Sequence, residues 1–345
     1  MAQLTELPLY CTNLSNIQYL TGFTGTSGVC LLKPEETILF TDGRYLERAT
    51  KEVFSHIVVK DIKKYLKDEM QSLNICFVEA ESIILSEFDR LNKEFSSVKF
   101  IKGASEVEHL RATKTKEEIE IITRCSDIAI RSLNRVIANE LRYGMEEKEL
   151  AFLLAKEMVI NQGADDVSFD IVVAFGDNTS EPHHKTSNSK LKTGDMLWID
   201  FGAKYRGYCS DITRAFFTNT PLPDQMRIYN LVLSYLRNFS KLYINKKSCT
   251  SIHAEMMEVC KKDGVEDLVR HFIGHGIGLQ IHEQPRISDY SMDILRNGMV
   301  VSCEPGLYVY GKFGVRLEDM IIINDKDPII LTQSLDKRLQ VLSLK

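Results

Sequence analysis

Short apolar runs separated by turn residues set the rhythm of the first hundred residues. VCLLKP, ETILFTDG, HIVVKDI and NICFVEA read as strands, with RYLERATKEV and SEFDRLNKEF as helices between them. This alternation predicts an α/β layer domain. The pattern lapses through KGASEVEHLRATKTKEE, where Thr115 precedes acidic residues at the start of a long helix. A domain boundary is expected around 105–115, giving an N-terminal domain over 1–110 and a second domain over 111–345.

Beyond the boundary the period changes. Ile119, Ile122, Ile130, Leu133 and Ile137 predict an amphipathic helix over 116–139, and LAFLLAKEMVI falls in a second over 146–162. Strands follow in SFDIVVAFG and DMLWIDFGAKYRGYCSDITRAFF, then helices over 224–244 and 250–262, then strands to the end. The order of two helices followed by strands thus occurs twice. Gly194, Asp200 and Gly202 in TGDMLWIDFG share their offsets with Gly298, Glu304 and Gly306 in NGMVVSCEPG. The expected class is α/β (α+β), with a C-terminal domain built from two related halves that face each other.

Two of these strands carry an acid where an apolar residue is expected. Asp200 interrupts MLWIDFG and Asp211 interrupts YCSDITRAFF. With Tyr205-Arg206 at the tip of a hairpin the two are directly opposite, about 4.5–5.5 Å apart. Opposed carboxylates repel and lose solvation, so they need a cation or a shared proton. Glu304 and Glu318 repeat the problem across a loop near Tyr310-Gly311-Lys312. Four carboxylates and a histidine form an oxygen-rich donor set that suits two divalent cations, Mn²⁺ before Co²⁺ or Zn²⁺. Such a pair can hold a nucleophilic hydroxide near neutral pH, which points to hydrolysis.

Composition narrows the field further. The 345 residues are 44% hydrophobic and 26% charged, with a net charge of −5, ordinary values for a soluble protein. No long basic stretch invites nucleic acid or an anionic membrane. No apolar run approaches the roughly 18 residues that span a bilayer, and MAQLTELPLYC lacks the pattern of a secretory signal. The eight cysteines are scattered, without a C-x-x-C pair, as expected of reduced, mostly buried thiols in a cytoplasmic protein. RHFIGHGIGLQIHEQPR holds His271, His275 and His282 among closely spaced glycines. Its spacing fails the G-x-G-x-x-G dinucleotide pattern.

The ordered set Asp200, Asp211, His275, Glu304 and Glu318, in the contexts WIDFG, CSDITR, GHGIGL, CEPG and VRLED, resembles the pita-bread metallopeptidases. It is most similar to their proline-specific branch, Xaa-Pro aminopeptidase (aminopeptidase P) and prolidase. NIQYLTGFTGTSGV and LFTDGRYLERA resemble the creatinase-type N-terminal domain of that branch. The resemblance implies that Asp200 chelates one metal, that Asp211 and Glu318 bridge two, and that His275 and Glu304 complete the second. Glu304 also serves as general base for attack by a bridging hydroxide. It further implies substrate roles for His183, for His282 at the oxyanion and for His271. Where the family commonly has glycine after the first of these histidines, this chain has His184, a ring that would reshape the pocket entrance. The twelve residues from His183 to Asp195 favour His183 as the one facing substrate.

Arg316, two residues before Glu318 and read on the opposite strand phase, would steady the carboxylates from behind. Tyr308 would donate a hydrogen bond near the site. Arg286 in HEQPR would grip a C-terminal carboxylate, as suits a dipeptidase, whereas TGFTG and FTDGRY lean towards the aminopeptidase. The reading favoured is an Xaa-Pro aminopeptidase acting on peptides with proline in second position, and by family analogy a homodimer. A prolidase is the alternative. A non-catalytic peptide-binding or protein-binding relative is the alternative of another class, and the intact ligand set argues against it.

Overall fold

A computed structural model of the protein describes residues 4–103 and 105–344. Contacts divide the chain into two units, Met1–Arg111 and Ala112–Lys345. The first holds a six-stranded mixed sheet of β1 (Leu9–Cys11), β2 (Val29–Leu32), β3 (Thr37–Thr41), β4 (Ile57–Asp61), β5 (Ile75–Glu79) and β6 (Lys99–Gly103), in the order β4-β3-β2-β1-β5-β6. Helices α1 (Leu14–Thr21), α2 (Leu46–Glu52), α3 (Ile62–Gln71), α4 (Leu85–Glu94) and α5 (Glu106–Ala112) fall between and after the strands. Both faces of the sheet are covered. Cys30 and Leu32 pack into one apolar cluster and Leu31 into another, which is why VCLL reads as a continuous apolar run. Asn13 starts α1, its side chain accepting from the backbone N–H groups of Ser15 and Asn16.

In the second unit α6 (Lys116–Asn139) begins at a reciprocal capping box. Thr115 Oγ1 accepts from Glu118 N–H, and Glu118 Oε2 accepts from Thr115 N–H at 2.7 Å. The next helix, α7, is α-helical over Glu147–Lys156 and widens to a π-helical turn at Glu157–Asn161. Then come β7 (Asp166–Val167), β8 (Val172–Phe175), β9 (Met196–Phe201), β10 (Ala203–Tyr205), β11 (Tyr208–Cys209) and β12 (Ile212–Phe217). The second half follows with α8 (Pro223–Phe239), α9 (Cys249–Lys262), β13 (His275–Gly276), β14 (Glu283–Arg286), β15 (Val300–Cys303), β16 (Gly306–Val309), β17 (Phe313–Arg316), β18 (Asp319–Ile322) and β19 (Ile329–Ile330). The expected repeat is present: two helix pairs, each leading into a central antiparallel strand pair, β9–β12 and β15–β18. The matched glycines Gly194 and Gly298 both have positive φ, 93° and 84°.

One expectation on register needs correcting. The hairpin turns at Arg206-Gly207, both left-handed at φ 50° and 83°, rather than at Tyr205-Arg206. Tyr205 pairs with Tyr208, and Asp200 pairs with Thr213. Asp211 therefore continues the register opposite Gly202, not Asp200. Moving the tip by one residue shifts the pairing by two, so the two acids still share a face, as diagonal neighbours. The strands approach closely there, and a Cβ on Gly202 would lie 1.8 Å from Ser210 O. In the second hairpin Gly306 pairs with Arg316, and Cys303 with Asp319. That register sets Glu304 across from Glu318.

All eight cysteines are free and buried. Among the described residues no helix is long and apolar enough to cross a membrane. Because backbone, not a flexible side chain, opposes a methyl at residue 202, Gly202→Ala is expected to destabilise this unit by about 3 kcal/mol. Urea unfolding followed by the fluorescence of Trp198 measures it, and an unchanged midpoint would mean that the two strands can separate freely at this point.

Candidate metal centre

The ends of the two hairpins meet at Thr213 and Glu318. Glu318 N–H donates to Thr213 O at 3.1 Å, and Thr213 Oγ1 donates to Glu318 Oε2 at 2.8 Å. Around this seam lies a cavity of about 390 Å³ lined by Asp200, Asp211, Glu304, Glu318, His183, His271, His275, His282, Arg286 and Arg316, together with apolar Phe169, Val172, Phe272 and Ile281. Every residue expected at the site except Tyr308 is thus on its wall.

His275 is set up as a ligand. Its backbone N–H donates to Ser302 Oγ, and its Nδ1–H donates to Gly276 O at 3.1 Å. That bond leaves the Nε2 lone pair facing Asp211 Oδ2 at 3.5 Å and Glu304 Oε1 at 3.4 Å. Burial, with His282 beside it, pushes its imidazolium pKa down to about 3. A neutral ring facing carboxylate oxygens attracts none of them unless a cation sits between.

The carboxylates show the same strain. Burial, then the charges of Glu318, Asp200 and Glu304, push Asp211 well above the usual carboxylate range. Burial and the charges of Glu304 and Asp200 do the same to Glu318. Glu304 is pushed up to about 8 by burial and by Asp200, against the opposing pull of Arg316. Asp200 Oδ1 and Glu318 Oε1 are buried without a hydrogen-bonding partner. Asp211, His275 and Glu318 each offer a ligand atom, all within 4.8 Å of one another. Oxygen donors in excess of local positive charge, two of them orphaned, fit divalent cations.

Arg316 corrects a second expectation. Residues two apart share a strand face, so it stands on the same side as Glu318 and reaches the cavity itself. Its Nη2 donates to Asp200 Oδ2 at 2.5 Å and its Nε to Thr213 Oγ1 at 3.1 Å. Its guanidinium lies 4.5 Å over the Trp198 ring. Nη1 donates to Pro182 O and to Tyr308 Oη. Tyr308, 1% exposed, passes the relay on by donating to His271 Nε2 at 2.9 Å. It stands behind the wall as a link between Arg316 and His271, not as a group reaching substrate.

His184 departs from expectation as well. It does not shape the entrance of this cavity but turns away, its Nε2 bonded at 2.8 Å to buried Glu147, while His183 faces the cavity. The sequence reading missed Thr213 and Ser302. Thr213 stands two residues after Asp211, so the strand period alone places both on one face. Ser302, whose Oγ donates to Glu304 Oε1 at 3.3 Å, stands two residues before Glu304 and carried the same signal. Cys303 is buried in the apolar core, as its position beside Glu304 on the strand implied.

The profile of Metallopeptidase family M24 matches residues 120–325, and that of the Creatinase/Prolidase N-terminal domain matches residues 9–113. The chain belongs to metallopeptidase family M24, and the class so defined is a metal-dependent exopeptidase with a pita-bread catalytic domain. It is 34% identical over 326 residues to the Xaa-Pro dipeptidase of Pyrococcus furiosus, covering 92% of this chain and 91% of that protein. The crystal structure of an X-Pro aminopeptidase from Thermotoga maritima superposes with a TM-score of 0.87 at 32% identity, covering 96% and 97% of the two chains. An Xaa-Pro dipeptidase from Bacillus anthracis gives 0.90 at 33% identity, covering 97% and 94%.

The raised carboxyl groups make cation binding a proton-releasing event. Glu304 without a cation is protonated below about 8, and a cation binds its ionised form, so affinity falls and proton release grows as pH drops from 8 towards 6. Titration calorimetry of the chelator-treated protein with Mn²⁺, in buffers of different ionisation enthalpy, is expected to show this. Uptake independent of pH over that range would contradict it.

Proposed function

We propose that this protein is a dinuclear-metal Xaa-Pro aminopeptidase, releasing the first residue of peptides with proline in second position. The observation that carries the reading is the convergence on one cavity of four carboxylates, Asp211 and Glu318 buried and Asp200 and Glu304 half-buried, with an unprotonated His275 Nε2 and three further histidines. Asp200, Asp211, His275, Glu304 and Glu318 would hold the metals, with Mn²⁺ favoured by the oxygen-rich set. When bound, divalent ions polarise a peptide carbonyl and make water a nucleophile near neutral pH.

An Xaa-Pro bond is a tertiary amide without an N–H, so recognition falls on the proline ring and the carbonyl. Phe169, Val172 and Ile281 supply apolar wall for the ring. Glu304 takes a proton from the attacking water as its oxygen adds to the carbonyl carbon. The C–N bond then breaks, and that proton goes to the departing proline nitrogen. His282 donates to the oxyanion, His183 orients the peptide, and the His271 ring, held by Tyr308, forms the wall beside it. Arg316 holds Asp200 in place through its short ion pair. Eight buried free thiols suit a reducing, cytoplasmic setting, and a homodimer is the assembly expected by analogy with the family.

The aminopeptidase reading is favoured by the cavity's aromatic rim. Phe272 is 45% exposed and meets Tyr290 edge-on at 5.6 Å, a surface on which residues beyond proline can rest. One observation favours the dipeptidase instead: Arg286 pairs with His275 across β13–β14 and lines the cavity, within reach of a C-terminal carboxylate.

Two measurements separate these readings. With Mn²⁺ present, an Xaa-Pro-Yaa tripeptide is expected to be cut between its first residue and proline. Cleavage of an Xaa-Pro dipeptide alone would make the protein a prolidase, and cleavage of neither would revive a non-catalytic binding role. Asp211→Ala is expected to lower kcat/KM at least about a hundredfold and to leave the protein with fewer metal ions per chain by mass spectrometry. Normal turnover by that variant would sink the two-metal assignment.

A further inference from the structure

We propose that Glu147, which does not touch the cavity, is a positioning residue for it: through His184 it holds the segment 175–187 so that His183 faces substrate and Pro182 braces Arg316. The inference rests on the substrate role given above to His183. Glu147 is the first residue of α7, and its side chain has no exposed surface. Oε1 accepts from Phe175 N–H and Asn178 Nδ2, both at 2.8 Å. Oε2 accepts from His184 Nε2 and Ser187 N–H at 2.8 Å and from Ser187 Oγ at 2.7 Å. One carboxylate therefore ties down both ends of the segment.

What lies between those ties faces the site. Thr179 O accepts from Trp198 Nε1 at 3.0 Å, and Thr179 Oγ1 accepts from Gly314 N–H at 3.2 Å. Pro182 O accepts from Arg316 Nη1 at 2.9 Å, and Arg316 in turn grips Asp200. With the His184 ring anchored to Glu147, its neighbour His183 is the one left facing the cavity. A glycine at 184, the residue common in the resembled family, has no side chain to make this tie. Five donors on a buried carboxylate are also a strong constraint, because each lost bond leaves a buried polar group unsatisfied. Net of its burial, Glu147 is held below the usual carboxylate range by Asn178, His184, Ser187 and Phe175, so it is a charged anchor.

The single tryptophan makes the idea testable apart from catalysis, since Trp198 bonds to Thr179 and stacks under Arg316. H184A is expected to raise KM for an Xaa-Pro peptide about tenfold, the effect of one lost charge-assisted hydrogen bond, with kcat within about twofold. Its Trp198 emission should shift, while H184Q, which keeps a side-chain donor, should recover both properties. E147Q, which keeps the volume but not the charge, should move both in the same direction as H184A. Folded H184A and E147Q with the wild-type KM and emission would overturn the proposal. So would failure of H184Q to recover either property, since the donor is then not what matters. If the wild-type protein cleaves no Xaa-Pro peptide, the functional reading fails, and the emission shifts still decide the positioning role.

Discussion

The rest of the catalytic unit is arranged around a repulsion. Asp200, Asp211, Glu304 and Glu318 point into one partly enclosed cavity, where the guanidinium of Arg316 is paired with Asp200 and that of Arg286 stands elsewhere on the wall. Like charges in a low-dielectric setting raise one another's pKa values and oppose burial. The fold keeps them there because each sits on a strand paired on both sides or at a strand end pinned by its neighbour. The protein thereby holds part of the free energy of cation binding in advance, as unsatisfied oxygens. Arg316 does not relieve this fully: it takes one oxygen of Asp200 and leaves the other without a partner.

The two halves of the unit share the task in equivalent ways. Each contributes a glycine turn, a central strand ending in an acid, and a hairpin that returns a second acid beside the first. The hairpins differ where the chemistry differs. In the first, Gly202 lets the strands close tightly, and Asp211 lies diagonal to Asp200. In the second, Glu304 and Glu318 oppose each other, and β13 adds His275 along the edge of β15. The joint between halves is a side-chain and backbone bridge from Thr213 to Glu318.

Much of this could be read from the chain. The acids stood out because an apolar strand has no other use for them, and the histidines because glycine and histidine together make poor core. The shared face of Asp200 and Asp211 was legible even though the turn was misplaced, since an even shift in register preserves the face. What could not be read was whatever depends on a rotamer or on distant partners. The count from His183 to Asp195 favoured His183, but what turns the neighbouring His184 away, the buried carboxylate of Glu147 37 residues distant, left no signal in the sequence. Tyr308 was read as donating a hydrogen bond near the site, but that its partners are His271 and Arg316 behind the wall depends on residues distant in sequence. The π-helical turn after Lys156 left no periodic signature, because its apolar positions continue the stripe of α7.

The Thr213–Glu318 bridge also says something about how the protein comes into being. Its partners are 105 residues apart, and Asp200 and Arg316 are 116 apart. During synthesis the first half leaves the ribosome carrying two acids in a hairpin with no neighbour to share them, and the cluster closes only when the last strands arrive. Contacts of such long sequence separation form late and slowly. Capture of a cation by the full donor set therefore belongs to the end of folding, because the first half supplies only Asp200 and Asp211 and the second supplies His275, Glu304 and Glu318.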